Sequence, residues 1–247
     1  DMLRIPYETV PLTDDFTIRK EDYFRENGGI IFPNPNAPTG VELGMQDVEA
    51  IIKANPDVIV VVDEAYVDFG AASALPLIEK YDNLLVVQTF SKSRGMAGMR
   101  IGYAMGNPVL IKYLNDVKYS FNSYTMDQTT LALGAAAIAD RAYFEETVHK
   151  VVETREWTKK ELTKLGFVFG DSKANFIFAS HPEIPAADLF AALREANIIV
   201  RYFNKPRIAN YLRITIGTQE DMEKLIEFLK KYVTVQSQAK FQKTDVK

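Results

Sequence analysis

The chain has 247 residues, 47% of them hydrophobic and 25% charged, which indicates a globular protein with one large or two smaller domains. Its formal net charge of −4, without a long block of either sign, argues against nucleic acid or a membrane surface as the main partner, and the lack of a signal-peptide pattern makes the cytoplasm the expected compartment. The chain has no cysteine and only two histidines, which excludes a disulfide scaffold and any cysteine-ligated metal site, so no metal centre is expected.

In the first half of the chain, short apolar runs alternate with segments of helical periodicity. Helices are predicted near 45–54 and 75–80, and the apolar runs predict strands at 28–33, 57–66, 83–90 and 100–105. The segment DVIVVVDEAY (57–66) is rich in β-branched residues and predicts a strand buried on both faces, as parallel strands usually are. Strands that alternate with helices indicate βαβ units, so we predict an α/β fold with a mostly parallel sheet.

The pattern changes after Gly106. Helices are predicted at 108–117, 125–139, 141–165, 186–196 and 218–232, and Thr218 can cap the last of them. Short strands are predicted near 167–170, 174–180, 197–202 and 210–217, and the polar tail from Val235 is expected to be frayed. We therefore predict a large α/β domain over 1–145 and a smaller C-terminal α+β domain over 146–247.

Three polar segments follow predicted strands of the large domain: NPNAPTG (34–40), DEAY (63–66) and TFSKS (89–93). Ligands of α/β sheets bind outside the carboxyl ends of the strands, so these segments are expected to meet at one site. They supply an amide, a carboxylate, a phenol, a lysine and hydroxyl groups. Pyridoxal phosphate suits this set of groups. Its ring nitrogen needs a carboxylate, and its ring oxygen needs a hydrogen-bond donor. Its phosphate needs hydroxyl groups and an arginine, and its aldehyde needs a lysine.

Each of these residues also has a purely structural explanation. The alternatives are a helix cap for Asp63, a core ring for Tyr66, a surface lysine for Lys92, an ion-pair residue for Arg100, turn formers for Ser91 and Ser93, and a proline-turn residue for Asn36. Their joint occurrence, in this order and at consecutive strand ends, favours the functional explanation.

The ordered segments FPNPNAPTG, VVDEAYVDF, SKSRGMAGMRIGY and YLRITIGT resemble those of the fold-type I pyridoxal-phosphate aminotransferases and, within them, the histidinol-phosphate aminotransferases. The resemblance extends from Val10 to about Val233. It implies a homodimeric enzyme of histidine biosynthesis with pyridoxal 5'-phosphate as cofactor. Such an enzyme moves an amino group between L-histidinol phosphate and 2-oxoglutarate in two successive half-reactions.

The resemblance also implies roles for three catalytic residues. Lys92 would bind the cofactor covalently and then carry a proton between the substrate and the cofactor. Asp63 would pair with the pyridine nitrogen, and Tyr66 would donate to the ring oxygen.

The remaining roles that the resemblance implies concern phosphate and carboxylate groups. Ser91, Arg100 and Thr89 would hold the cofactor phosphate. Arg213, in YLRIT, would bind the α-carboxylate of amino-acid substrates as a bidentate fork, and Arg201, in IIVRY, would bind the phosphate of histidinol phosphate.

The sequence departs from the family in two respects. Ala37 stands where the family usually has an asparagine before Pro-Thr-Gly, so we take Asn36 as the substitute donor to the ring oxygen. Family members are also longer, and the chain lacks their N-terminal part, which includes a helix N-terminus that binds the cofactor phosphate. We therefore expect the 247-residue chain alone to be inactive or weakly active.

Two alternatives to this function stay open at the level of the sequence. Threonine-phosphate decarboxylases and aromatic or broad-range aminotransferases share the same motifs, and selection for a phosphorylated substrate is expected to rest on Arg201 and on residues outside these 247. A non-catalytic fragment is the alternative from a different class of protein, although intact Asp63, Tyr66, Lys92 and Arg100 argue against a degenerate gene.

Overall fold

The computed structural model describes residues 4–244, and its first sheet has four strands in the order β1–β2–β3–β4. Strands β1 (Ile30–Pro33), β2 (Val60–Asp63) and β3 (Leu84–Thr89) are parallel, and β4 (Gly102–Gly106) is antiparallel to β3. Parallel strands need a crossover connection, and helix α1 (Met45–Ala54) lies in the one between β1 and β2. The α/β architecture with a mostly parallel sheet, predicted from the sequence, is confirmed.

One face of this sheet forms the hydrophobic core of the first half of the chain. Val60 and Val62 of β2 have no exposed surface, and Ile51 of α1 lies in the same buried cluster. On the opposite face Val61 is half-buried, and Ile31 of β1 is 73% exposed. Burial on both faces, which the β-branched run at 57–66 predicts, is therefore wrong for β2, because Val61 and Asp63 on this face are only half-buried.

Helices dominate the rest of the described chain. The α-helices are α2 (Pro108–Phe121), α3 (Gln128–Ala139), α4 (Arg141–Lys164), α5 (Ala186–Glu195) and α6 (Gln219–Thr244), and short 3₁₀ helices lie at Lys20–Tyr23, Val67–Phe69, Leu75–Glu79 and Ala97–Met99. The side chains of Asn107, Asp127 and Asp140 cap α2, α3 and α4. Between residues 4 and 244 no helix combines the length and the apolar composition needed to cross a membrane.

Helix α6 begins as the sequence predicts and ends later. Thr218 accepts a hydrogen bond from the Asp221 N–H, and the Asp221 carboxylate accepts one from the Thr218 N–H, so the two residues cap the helix reciprocally. The frayed tail expected from Val235 is wrong, because the helix continues to Thr244. Residues 235–244 contain no glycine or proline that would end a helix.

The second sheet is antiparallel, with the order β5–β6–β8–β7. Its strands are β5 (Val168–Phe169), β6 (Phe176–Ser180), β7 (Arg201–Tyr202) and β8 (Leu212–Thr215). Ile177 and Ile214 point into a buried cluster shared with α4, α5 and α6. Because side chains alternate along a strand, Phe176, Phe178 and Arg213 lie on the opposite face, which contributes to the candidate site.

Helix α4 joins the two sheets, since it contacts both the 3₁₀ turn after β2 and strand β6. The two buried cations of α4, Arg155 and Lys159, face the segment that leads into β6. Lys159 Nζ donates to Asp171 Oδ1 at 2.7 Å and to the Ser172 carbonyl at 3.0 Å. The division into domains at 145/146 falls inside α4 and stays a prediction.

The ion pair at this junction predicts a pH-dependent stability. The hydrogen bond from Lys159 lowers the pKa of Asp171 below its ordinary value of 3.8 by more than burial raises it. A lowered pKa stabilises the fold fully above the unfolded value, and that contribution is lost as the pH falls through the folded value. Because the Asp171 side chain is 70% exposed, Asp171→Asn should lower the free energy of unfolding at pH 6 by no more than about 1 kcal/mol.

Urea unfolding of the parent and of Asp171→Asn at pH 6 and at acid pH measures this difference. The two proteins should converge as the pH falls below 3.8 and through the lowered pKa of Asp171 in the folded state, where the wild-type carboxylate also becomes protonated. Asp57→Asn, at an exposed aspartate, is the matched control and should show no such convergence. A difference between parent and Asp171→Asn that is the same at both pH values would contradict the prediction.

Candidate active site

The carboxyl ends of the three parallel strands lie side by side at one edge of the first sheet. Asp63 pairs in register with Pro33 of β1 and with Val87 of β3. The Asn34 N–H donates to the Asp63 carbonyl at 2.8 Å, so the first of the three predicted polar segments leaves the sheet directly beside the second. The structure thus brings the three segments to one edge, as the sequence predicts.

The two adjacent carboxylates of DEAY have different surroundings. Asp63 is half-buried, and its Oδ1 accepts a hydrogen bond from the Ala65 N–H at 3.0 Å. Glu64 is only 2% exposed and accepts hydrogen bonds from the Ser73 hydroxyl, the Ala74 N–H and the Gln88 amide. Glu64 therefore anchors the turn, whereas Asp63 Oδ2 has no hydrogen-bond partner among the residues that the structure describes.

Lys92 and Tyr66 approach each other at this edge. The Lys92 ammonium lies 5.3 Å from the centroid of the Tyr66 ring, within the range of a cation–π contact, and the lysine is exposed. The Tyr66 ring meets Phe176 of β6 edge-to-face, with centroids 5.1 Å apart. Tyr66 therefore contacts both the lysine that follows β3 of the first sheet and strand β6 of the second sheet.

The hydroxyl groups of TFSKS form a short local network. Thr89 Oγ1 is 3.0 Å from Ser91 Oγ and donates to the Ile101 carbonyl. Arg100, the residue before Ile101, has a left-handed backbone with φ 55°, and its guanidinium donates to the Ala97 carbonyl at 2.9 Å. The backbone thus places Arg100 beside the two hydroxyls, while its exposed side chain is bonded within its own turn. Ser93 donates to Asp68.

The side chain of Asn36 lies within its own loop. Its side-chain amide donates to the Thr39 hydroxyl at 2.7 Å, and the backbone carbonyl of Asn36 accepts a hydrogen bond from the Gly40 N–H. The neighbouring Asn34, fully buried, holds both backbone groups of Leu43. The structural alternative for Asn36, a proline-turn residue, accounts for these contacts, and its role as a cofactor ligand stays a prediction.

Two arginines stand next to each other on the second sheet. Arg201 and Arg213 are register partners on β7 and β8, so their side chains lie on the same face. Their guanidinium carbons are 5.5 and 5.8 Å from the centroid of the Phe203 ring, and that of Arg213 is 5.1 Å from Phe176. Among the residues that the structure describes, neither arginine has a carboxylate partner, and the buried Arg213 Nε has no hydrogen-bond partner.

This pair of arginines predicts an anion site. Like charges opposite each other in a sheet are destabilising, and a buried donor without a partner is unfavourable. A bound carboxylate or phosphate would relieve both, because guanidinium groups match these anions with paired hydrogen bonds. The buried Nε without a partner among the described residues is thus the observation that favours an anion site on this face.

The sequence analysis missed the residues that connect the two halves of the site. Phe176 touches both Tyr66 and Arg213, and Phe203 lies between the two arginines. A phenylalanine in or next to a short strand is typical of core packing, so the only signal was its position beside the arginine strands.

The edge of the α/β sheet thus carries an exposed lysine and a half-buried carboxylate, and the antiparallel sheet that contacts it carries two arginines. The family model for aminotransferases of class I and II matches residues 2–229, and the chain belongs to this family. The histidinol-phosphate aminotransferase of Lactococcus lactis subsp. cremoris (strain SK11) is 53% identical over 233 residues, which are 94% of this chain and 65% of that protein. That of Pseudomonas syringae pv. syringae (strain B728a) is 57% identical over 225 residues, 91% of this chain and 64% of that protein.

Solved structures agree with these relatives. The histidinol-phosphate aminotransferase from Sinorhizobium meliloti, in complex with pyridoxal-5'-phosphate, superposes with a TM-score of 0.73 at 25% identity and covers 84% of this chain and 58% of that chain. The one from Clostridium acetobutylicum, at 23% identity, shares the fold with a TM-score of 0.80 over 90% of this chain and 70% of that chain. The resemblance to fold-type I aminotransferases is confirmed, and the chain spans about 65% of the length of the curated relatives it matches.

Proposed function

We propose that this chain belongs to a cytoplasmic, homodimeric enzyme of histidine biosynthesis. The enzyme uses pyridoxal 5'-phosphate to move an amino group between L-histidinol phosphate and 2-oxoglutarate. The observation that supports this most is one line of contacts from Lys92 through Tyr66 and Phe176 to Arg213. It connects a nucleophile on the first sheet to an anion site on the second, as an enzyme that acts on amino acids requires.

The donor set at the sheet edge fits the cofactor. Asp63 Oδ2 has no hydrogen-bond partner among the described residues and would pair with the pyridine nitrogen, and Tyr66, whose ring lies 5.3 Å from Lys92 Nζ, would donate its phenol to the ring oxygen. Thr89, Ser91 and Arg100 would hold the phosphate, the arginine after exchanging the Ala97 carbonyl for the stronger charged acceptor. Asn36 would contribute to the ring oxygen only after leaving Thr39.

Lys92 is the residue that we propose for covalent attachment and for proton transfer. The bound cofactor withdraws electrons from the α-carbon of the substrate and so makes its proton removable. As a neutral amine, Lys92 Nζ would accept that proton from the substrate and deliver it to the cofactor, and its exposed side chain is free to move between the two positions. Asp63 keeps the ring nitrogen protonated and so maintains the electron withdrawal.

Each of the two arginines would bind the anionic group of a different substrate. Arg213, with its buried unpartnered Nε, would bind the α-carboxylate of glutamate or 2-oxoglutarate. Arg201 is exposed at the edge strand and would bind the phosphate of histidinol phosphate, which has no carboxylate. This division explains how one site can accept two substrates with differently placed anions.

The direct test is an assay of the complete protein with L-histidinol phosphate and 2-oxoglutarate under saturating pyridoxal phosphate. Formation of glutamate supports the proposal. A related enzyme in this fold class, from Porphyromonas gingivalis, is an L-threonine-O-3-phosphate decarboxylase. Release of carbon dioxide from threonine phosphate without glutamate formation would contradict the proposal in favour of that alternative, and no turnover of either substrate would favour a non-catalytic protein.

Arg201→Ala should impair the phosphorylated substrate selectively. We expect kcat/KM for histidinol phosphate to fall about 10- to 150-fold, since a hydrogen bond to a charged group contributes about 1.5–3 kcal/mol. The decrease in kcat/KM for glutamate should be several-fold smaller than the decrease for histidinol phosphate. Arg194→Ala, at an exposed arginine near the end of α5, is the matched control and should leave both unchanged. Equal losses for both substrates would mean that Arg201 acts structurally.

A further inference from the structure

Arg155 of helix α4 has an unusual position for a charged residue. It is only 2% exposed, and its Nη1 donates to two backbone carbonyls, Phe69 at 2.7 Å and Ala174 at 2.9 Å. Its Nε donates to Glu156 at 2.9 Å. One buried nitrogen thus joins a turn of the first sheet to the segment that enters the second.

The two carbonyls stand close in sequence to two residues of the candidate site. Phe69 follows Tyr66 by three residues at the end of the 3₁₀ turn Val67–Phe69, and Ala174 precedes Phe176 by two residues. Tyr66 and Phe176 are the rings that meet between the two sheets. Arg155 therefore holds the backbone on both sides of the contact that links Lys92 to Arg213.

Lys159, one turn further along α4, supports the same segment. Its buried Nζ donates to the Ser172 carbonyl, and the Lys173 N–H donates to the Gly40 carbonyl at 2.8 Å. At Gly40 a Cβ atom would stand 2.3 Å from Ser172 Oγ. The segment that enters β6 is thus fixed against two loops of the first sheet, one after Tyr66 and one containing Asn36.

We infer that Arg155 is a positioning residue that sets the distance between the cofactor side and the carboxylate side of the active site. The inference rests on the proposed function for its catalytic consequence, while the distance itself does not depend on it. If the two sheets moved apart, a buried guanidinium would lose its acceptors, which is strongly unfavourable. Arg155 therefore keeps the distance between Arg213 and Lys92 fixed, although it contacts neither residue.

A distance measurement tests this inference without requiring activity. These 247 residues contain no cysteine, so Glu79→Cys and Glu195→Cys, at exposed positions on the two halves, provide the sites for nitroxide labels once any cysteine elsewhere in the complete protein is replaced by serine. Double electron–electron resonance, with labelled protein diluted by unlabelled copies, should give one narrow distribution in the complete parent protein. Arg155→Met should broaden or shift it, whereas Arg141→Met, at an exposed arginine on the same helix, should not.

Kinetics provide the second readout. A displacement of about 1 Å between reacting groups can reduce turnover about 100-fold, so Arg155→Met should lower kcat/KM for glutamate about 10- to 100-fold. The affinity for pyridoxal phosphate, measured by absorbance titration, should fall less than kcat/KM, because Tyr66 alone among the proposed cofactor donors lies near a carbonyl that Arg155 holds. Loss of cofactor affinity with an unchanged distance distribution would overturn the inference.

Arg155→Lys serves if Arg155→Met does not fold. Its nitrogen is one bond nearer the backbone than Nη1, so it cannot occupy the point from which both carbonyls are reached. We expect a change in the same direction, verified on protein with a native circular dichroism spectrum. A folded Arg155 variant with the parent distance distribution overturns the inference, and it does so whether or not the complete protein transfers amino groups.

Discussion

Lys92→Ala is expected to reduce amino transfer by at least about 10³- to 10⁴-fold, because it removes both the covalent attachment point and the proton carrier. The fold should survive the change. Lys92 is exposed, and the contact of its ammonium group with the Tyr66 ring is of a kind that contributes only about 0.5–1 kcal/mol at exposed sites. Single-turnover kinetics with glutamate measure the loss, and urea unfolding measures the stability.

Reduction with borohydride identifies the lysine independently of turnover. In the complete parent protein, the cofactor should be recovered on the peptide that contains Lys92 after reduction and digestion. Lys80→Ala, at an exposed lysine on the same half of the chain, should leave both labelling and activity unchanged. Label on another lysine, or none at all, would refute the assignment of Lys92.

Most of the first sheet could be predicted from the sequence because its signals are local. The apolar runs at 57–66 and 83–90 contain β2 and β3 as the structure has them, and each ends where a polar segment begins. Strand β7 is shorter than the predicted 197–202. Asn197 adopts a left-handed backbone with φ 58°, and the Ile198 N–H bonds back to Leu193 at the end of α5, so the first part of that run is a helix-terminating turn.

The residue types of the candidate site could be predicted from the sequence, but the contacts between those residues could not. Asp63 and Glu64 are adjacent carboxylates, and only the alternation of the strand sends one to the sheet edge and the other into the interior. The role of Phe176 depends on how the second sheet docks onto Tyr66, which no local pattern encodes. The same is true of Arg155, which in sequence is one of several charges along an amphipathic helix.

Arg213→Lys is expected to separate the two substrates in the sense opposite to Arg201→Ala. A lysine keeps the positive charge near Phe176 and loses the paired donors that match a carboxylate. We expect kcat/KM for glutamate to fall about 10- to 150-fold, corresponding to about 1.5–3 kcal/mol for a lost hydrogen bond to a charged group. Histidinol phosphate, which has no α-carboxylate, should be affected several-fold less.

Stability distinguishes this role of Arg213 from a structural one. In the parent, Nε is buried without a partner among the described residues, so it contributes an unsatisfied donor to the folded state. Lysine has no donor at that position, and Arg213→Lys should therefore unfold at the same urea concentration as the parent or at a slightly higher one. Arg194→Lys is the control for both measurements, since that arginine is exposed at the end of α5. A less stable Arg213→Lys protein with equal losses for both substrates would mean that Arg213 holds the sheet together, and the anion site would then have to lie elsewhere.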